Sequence, residues 1–145
     1  MVIGVSPSLV MLEVEDNPAD AAFLSEAVQA SQTPATIHVV ENGRDAMRFL
    51  RRETPFPDAP RPDVVVLDLN LPIKNGREVL AEMASDPALN TIPVAILTTS
   101  ASEAHVCEIY SPGRCVYLSK TADFKQLQII VRRIAAHAIG LLHRA

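Results

Sequence analysis

Five short apolar runs alternate with stretches that carry apolar residues every three or four positions. Ser8–Val14 (SLVMLEV) reads as a strand running into Glu15-Asp16-Asn17-Pro18. Asn17 can cap a helix and Pro18 suits its first turn. Asp20–Ala30 then places Phe23, Leu24, Ala27 and Val28 at helical spacing. Thr36–Val40 predicts a second strand, Asn42-Gly43 a turn, and Asp45–Arg52 a helix with Ala46, Phe49 and Leu50 on one side. Thr54–Pro62 holds four prolines in nine residues, a loop too short to link domains.

The run Val64–Leu71 (VVVLDLNL) organises the rest. A continuous β-branched run predicts a strand buried on both faces, as in a parallel sheet. Asn75–Ser85 follows as a helix with Val79, Leu80 and Met83 inward, stopped by Asp86-Pro87. Ile92–Thr98 is a fourth strand, and a weaker helix over about Ser102–Tyr110 must end before Pro112-Gly113. Cys115–Leu118 is a fifth strand, and Asp123 caps a long last helix, 123–143. Strand and helix alternate five times. Right-handed crossovers turn that order into an α/β, doubly wound, five-stranded parallel sheet with helices on both faces. The expected organisation is an N-terminal extension, 1–7, and one domain, 8–145. Glu13, inside the first strand, requires either a less buried face or a partner.

Composition narrows the function. At 145 residues, 48% hydrophobic and 21% charged, the chain suits one soluble domain. It has no Trp, two Tyr and four Phe, and a net charge of −4, which argues against a nucleic-acid partner. No run spans a membrane, and the first Lys or Arg is Arg44, so no signal peptide is expected. The expected location is the cytoplasm, with Cys107 and Cys115 as reduced thiols. The four scattered histidines show no metal-ligand spacing.

The chemistry collects at strand ends. Glu15 and Asp16 close the first strand, Asp68 the third, Thr98, Thr99 and Ser100 the fourth, and Lys120 follows the fifth. All are carboxyl ends, where parallel sheets bind ligands. Each has a mundane account alone: a helix cap, a strand threonine, a solvated lysine. Together they form an oxygen-rich, water-accessible site that suits Mg²⁺, because crowded carboxylates repel without a cation.

The motifs VEDNPAD (Val14–Asp20), VVLDLNLPIKNG (Val65–Gly76), ILTTS (Ile96–Ser100) and YLSK (Tyr117–Lys120) resemble the receiver domain of two-component response regulators, a flavodoxin-like fold. The resemblance runs from about Leu9 to Ala138. NPAD, FLRRE, DPALNTIPV and LTTS are similar to stand-alone receivers that partner bacterial phytochrome kinases. The resemblance implies that Asp68 accepts a phosphoryl group from a sensor histidine kinase. It implies Mg²⁺ on Asp16, Asp68 and the Asn70 carbonyl, with Glu15 acting through water. Lys120 and Thr98 would contact the phosphoryl group, and Thr98, Thr99 and Tyr117 would carry the switch. Slow self-dephosphorylation is implied, rather than turnover of a substrate.

Thr121 departs from the family, which usually has Pro after this lysine, often with a cis bond. A cis bond before a non-proline costs about 2.5–4 kcal/mol, so a trans loop is expected. Pro112 is a second departure, shortening the fourth helix. A phosphatase-type hydrolase would need a general acid two residues after the nucleophile, where Asn70 stands. A degenerate receiver acting as a phosphorylation-independent binding module would not need the intact acidic pair, Asp68, Thr98 and Lys120, but Thr121 keeps that reading open. Without an attached output domain, the expected output is a protein contact or phosphorelay. The last helix carries more apolar surface than one sheet face covers, with Phe124, Leu127, Val131, Ile134, Ala138 and Leu142 as the inward stripe. A homodimer through Ile130, Ile134, Ile139 and Leu142 is the expectation.

Overall fold

The computed structural model describes residues 8–99 and 101–142. The expected extension 1–7, Ser100 and the end of the last helix at His143 lie outside the described residues. The element order is β1 (Leu9–Val14), α1 (Pro18–Ala30), β2 (Ala35–Val40), α2 (Gly43–Arg51), β3 (Val64–Leu67), α3 (Gly76–Ser85), β4 (Val94–Thr98), a 3-10 segment η1 (Ala101–Ile109), β5 (Cys115–Ser119) and α4 (Phe124–Leu142). The five strands form one parallel sheet in the order β2-β1-β3-β4-β5. The order reverses direction at β1 and β3, which is where parallel sheets open a crevice.

Side-chain alternation along the strands sends two cores to two faces. Leu12 and Val14, Val65 and Leu67, and Val94 and Ile96 pack with α2, α3, Val106 and Tyr110. Leu9 and Met11, Val64 and Val66, and Ala95 and Leu97 pack with Leu24, Ala27 and Val28 of α1 and with Leu127, Val131 and Ile134 of α4. All four residues of β3 are buried, as a central strand requires. Each such Val or Leu contributes about 1.5–3 kcal/mol.

Asparagines start three helices. Asn17 accepts from Ala19 N–H and Asp20 N–H, Asn42 from Asp45 N–H, and Asn75 from Glu78 N–H. Asn42-Gly43 is thus a cap and a first helical residue, not the turn its sequence suggests. Gly43 is needed there because a Cβ would lie 2.0 Å from the Lys74 carbonyl oxygen. Asp123 caps α4 through Gln126 N–H, as expected.

Three expectations are corrected. The fourth helix is a 3-10 segment with non-helical backbone at Glu103. It stops at Ile109, and the Tyr110 hydroxyl then donates to the carbonyls of Leu89 and Ile92. Cys107 and Cys115 are a disulfide, Cα–Cα 5.4 Å, not two thiols. The Pro112-Gly113 turn folds β5 back against η1 and brings them together, which no Cys spacing motif announces. In α4 the inward stripe ends at Leu141 rather than Leu142, and Phe124 is partly exposed. Positions 127, 131, 134, 138 and 141 keep the 3.6-residue period that the sequence stripe overran.

Candidate functional site

β1 ends by delivering Glu15 and Asp16 to the carboxyl edge, and β3 ends one residue before Asp68. Glu15 and Asp68 are buried and Asp16 is exposed. Carboxylate oxygens of these three residues lie within 4.8 Å of one another. Asp68 is held from both sides. Its Oδ1 accepts the Asn70 N–H at 3.1 Å, and its Oδ2 lies 2.9 Å from Lys120 Nζ.

Gly76 sets the floor of the β3–α3 loop. Its N–H donates to the Leu69 carbonyl at 3.0 Å, and a Cβ there would meet the Asp68 carbonyl oxygen at 2.2 Å. Ile73, on the same loop, has φ 70° and is largely exposed. A β-branched residue in that region marks a strained backbone beside the acidic group.

Lys120 reaches the site because its own N–H donates to the Thr98 carbonyl at 2.8 Å, carrying the β4–β5 pairing one step past the strands. Its ammonium donates to Glu15 at 2.6 Å, Asp20 at 2.9 Å and Asp68 at 2.9 Å. Burial works against that charge, but the hydrogen bonds to Glu15, Asp20 and Asp68 outweigh it, and the ammonium's pKa is raised. Burial raises the Glu15 pKa, with the Lys120 and Asn17 hydrogen bonds pulling the other way. The only cis peptide among the described residues is Thr54–Pro55, so the Lys120–Thr121 bond is trans, as the missing proline predicts.

Thr98 closes β4 fully buried, and its hydroxyl has no hydrogen-bond partner among the described residues. The Tyr117 hydroxyl is also buried without one among the described residues. Both residues share strand parity with Ile96 and Cys115, so both face the η1 side of the sheet. Thr99 is exposed at the mouth and lines a cavity of about 520 Å³ with Glu13, Phe23, Lys120 and Thr121.

An oxygen-only group of three carboxylates, one of them open to solvent, suits a hard divalent cation that keeps several waters. The same edge offers a carboxylate nucleophile, a neighbouring ammonium and an unpartnered hydroxyl. That set can accept and stabilise an electrophilic phosphoryl group.

Residues 11–132 match the response regulator receiver domain. The chain belongs to that family. It is 40% identical over 129 residues to the response regulator Rcp1 of Synechocystis sp., covering 89% of this chain and 88% of that protein. It resembles the crystal structure of the phosphorylated cyanobacterial phytochrome response regulator RcpA, with TM-score 0.80 and 41% identity over 92% of this chain and 95% of that one. The Mn²⁺-bound form of Rcp1 gives TM-score 0.77 and 38% identity over 88% of this chain and 92% of that one. The chain is therefore a receiver of two-component signalling with phytochrome-associated relatives, and the phosphoacceptor role comes with the family.

The structure brings Glu15, Asp16, Asp68 and Lys120 together at the receiver's edge, with Asn70 bonded to Asp68 through its backbone. Of the residues expected on a dimer face, Ile139 and Leu142 are exposed and Ile130 packs partly on the core. Ile134 is 1% exposed, so it serves the α4–sheet core and not an outer contact. One residue was missed by sequence reasoning. Asp20 stands in the VEDNPAD motif, but nothing local shows that it meets a lysine 100 positions away. The expectation for Glu13 is a less buried face or a partner. It is 3% exposed, Oε1 lacks a partner among the described residues, and burial first, then Glu15 and Asp20, raise its pKa to about 8 against the pull of Lys120. No helix among the described residues is long and apolar enough to cross a membrane.

Proposed function

We propose that Asp68 is the phosphoacceptor of this receiver and that the donor is a sensor histidine kinase of the bacterial phytochrome type. The observation that carries this reading is the placement of the Asp68 carboxylate beside both the acidic pair and the Lys120 ammonium, 2.9 Å away. Asp68 attacks phosphorus while Lys120 faces the charge on the phosphoryl oxygens. Asp16, Asp68 and the Asn70 carbonyl would hold Mg²⁺ directly, with Glu15 acting through water. Bound there, Mg²⁺ supplies charge stabilisation for the phosphoryl oxygens. The Thr98 hydroxyl gains its partner in the phosphoryl group, and Tyr117 follows on the same face, remodelling the surface near Thr99 and η1. Loss of the phosphoryl group is slow self-dephosphorylation.

Incubation with Mg²⁺ and acetyl phosphate, followed by intact mass and mapping of the modified residue, tests the assignment. Wild type gains one phosphoryl group, Asp68→Asn gains none, and full labelling of that variant would refute it. Asp16→Ala weakens Mg²⁺ binding in a metal titration.

The signal leaves by protein contact or phosphorelay in the cytoplasm. Ile129, Ile139 and Leu142 expose apolar surface on α4, which supports a homodimer through this helix. Light scattering of Ile139→Glu/Leu142→Glu tests it. The wild type is expected as a dimer and the variant as a monomer, and a monomeric wild type at tens of micromolar ends the dimer reading.

A further inference from the structure

We propose that Asp20 is a positioning residue for Lys120, holding its ammonium at the mouth of the acidic site for an incoming phosphoryl group. The inference rests on the reading of Asp68 as phosphoacceptor.

Lys120 carries a flexible four-carbon stem and the peptide bond that follows it is trans, so its backbone alone does not fix the ammonium. Three acceptors from three elements triangulate it: Glu15 after β1, Asp68 after β3, and Asp20 on α1. Glu15 and Asp68 belong to the carboxylate group that suits a cation, and Asp20 does not. A cation there competes with Lys120 for Glu15 and Asp68. Asp20 is the one of the three left to the lysine. Its side chain is 45% exposed, against 5% for Glu15 and 8% for Asp68, so it draws the ammonium outward. Its backbone is pinned, since the Asn17 cap accepts from the Asp20 N–H at 3.2 Å.

In the transfer, a bond forms between an Asp68 carboxylate oxygen and phosphorus as the donor's bond to phosphorus breaks. With an acyl phosphate, the leaving carboxylate takes the electron pair, and Lys120 keeps its proton throughout. Charge on the phosphoryl oxygens is met only if the ammonium already sits at the mouth. An acidic residue in a first helical turn also has an ordinary account, favourable interaction with the helix dipole. The two accounts differ in sign. If Asp20 is only a negative charge near the site, removing it eases approach of an anionic donor and speeds transfer. If Asp20 positions Lys120, removing it slows transfer.

The test uses the full chain with acetyl phosphate and saturating Mg²⁺ in wild type, Asp20→Asn, Lys120→Ala and the double variant. Asp20→Asn is expected to lower the maximal rate about tenfold. It leaves the Mg²⁺ affinity within about twofold and has no further effect in the Lys120→Ala background. An unchanged or faster rate, or equal slowing with and without Lys120, overturns the proposal. A second measurement needs no transfer. In the Mg²⁺-loaded protein, the nitrogen-15 resonance of the Lys120 ammonium is expected to be protected from exchange in wild type and to lose protection in Asp20→Asn. Equal protection in both overturns the proposal whatever the rates show. A wild type that takes no phosphoryl group on Asp68, with the ammonium signal behaving as expected, instead overturns the phosphoacceptor reading and leaves the Asp20–Lys120 pairing standing.

Discussion

Replacing Glu13 with Gln should remove a loss of stability that this protein suffers as pH rises. Glu13 lies on β1 with one carboxyl oxygen lacking a partner among the described residues, and its pKa rises from 4.5 to about 8. Burial is the main cause; Glu15 and Asp20 add to it and Lys120 opposes it. Between those two values the folded chain keeps a proton that the unfolded chain releases. The unfolded state then binds fewer protons, so stability falls as pH rises. The contribution is complete below about pH 4.5 and is lost progressively until about pH 8. At about 1.4 kcal/mol per pH unit the total is about 5 kcal/mol, with about 3 kcal/mol gone by pH 7.

Glutamine has nearly the same shape and cannot ionise. It places an amide donor where a carboxyl stood, and an unsatisfied donor costs about 1–3 kcal/mol. Glu13→Gln should therefore be slightly less stable than wild type at pH 4.5 and more stable at pH 8 to 9 by about 2–4 kcal/mol. Urea unfolding in chelator-treated buffer, followed by far-ultraviolet circular dichroism across this range, measures the difference at each pH. Groups distant from Glu13 titrate alike in both proteins and cancel, so the difference reports Glu13 and the groups coupled to it, Glu15, Asp20 and Lys120. A difference that stays constant from pH 4.5 to 9 would mean that Glu13 ionises in the folded state like an exposed glutamate, and the reasoning fails.

Three further outcomes follow from the loops around the site. Gly76→Ala drives a Cβ into the Asp68 carbonyl oxygen and should cost about 2–3 kcal/mol in urea unfolding while slowing phosphoryl transfer. Ile73→Gly relieves a positive φ at an exposed position; the relief is about 1–2 kcal/mol, against about 1 kcal/mol for glycine's greater chain entropy, so stability should hold or rise slightly. Unchanged or improved stability for Gly76→Ala, or a marked loss for Ile73→Gly, contradicts these readings. Reduction of Cys107–Cys115 frees a short loop and should lower stability by about 2–3 kcal/mol, seen as a lower urea midpoint with dithiothreitol than without.

How much of this was legible in the sequence depends on the distance over which each feature is decided. The parallel sheet was legible because Val64–Leu67 and Val94–Thr98 are buried on both faces, and that burial writes continuous apolar runs. Asp68 and Lys120 were legible because both sit where a strand ends, a boundary visible locally. The pairing of Lys120 with Asp20 was not, because the two residues stand 100 positions apart and meet only in the tertiary fold, where α1 also packs on α4. Cys107 and Cys115 failed for a related reason. They are eight positions apart, and the return of β5 against η1 makes that separation a contact. The fourth helix was expected from weak periodicity, yet Glu103 breaks its backbone and Tyr110 ties its end to the α3–β4 connection. Tertiary hydrogen bonds outweighed a marginal local preference.

The two unpartnered hydroxyls give the proposed switch its energy scale. A buried hydroxyl without a partner costs about 1–3 kcal/mol, so Thr98 and Tyr117 together hold about 2–6 kcal/mol in the unphosphorylated fold. Moving a two-state equilibrium from 1:99 to 99:1 takes about 5.5 kcal/mol. If phosphorylation gives Thr98 a charged acceptor and releases Tyr117 to find one, the cost recovered is of the size a switch requires. Thr98→Val then removes the hydroxyl with its cost and its reward together. The variant should be more stable than wild type by about 1–2 kcal/mol when unphosphorylated and should lose that advantage when phosphorylated. Paired urea titrations of both proteins, with and without acetyl phosphate and Mg²⁺, read the two differences directly. If Thr98→Val destabilises the unphosphorylated protein, or if the two differences are equal, the Thr98 hydroxyl is not where the switch draws its free energy.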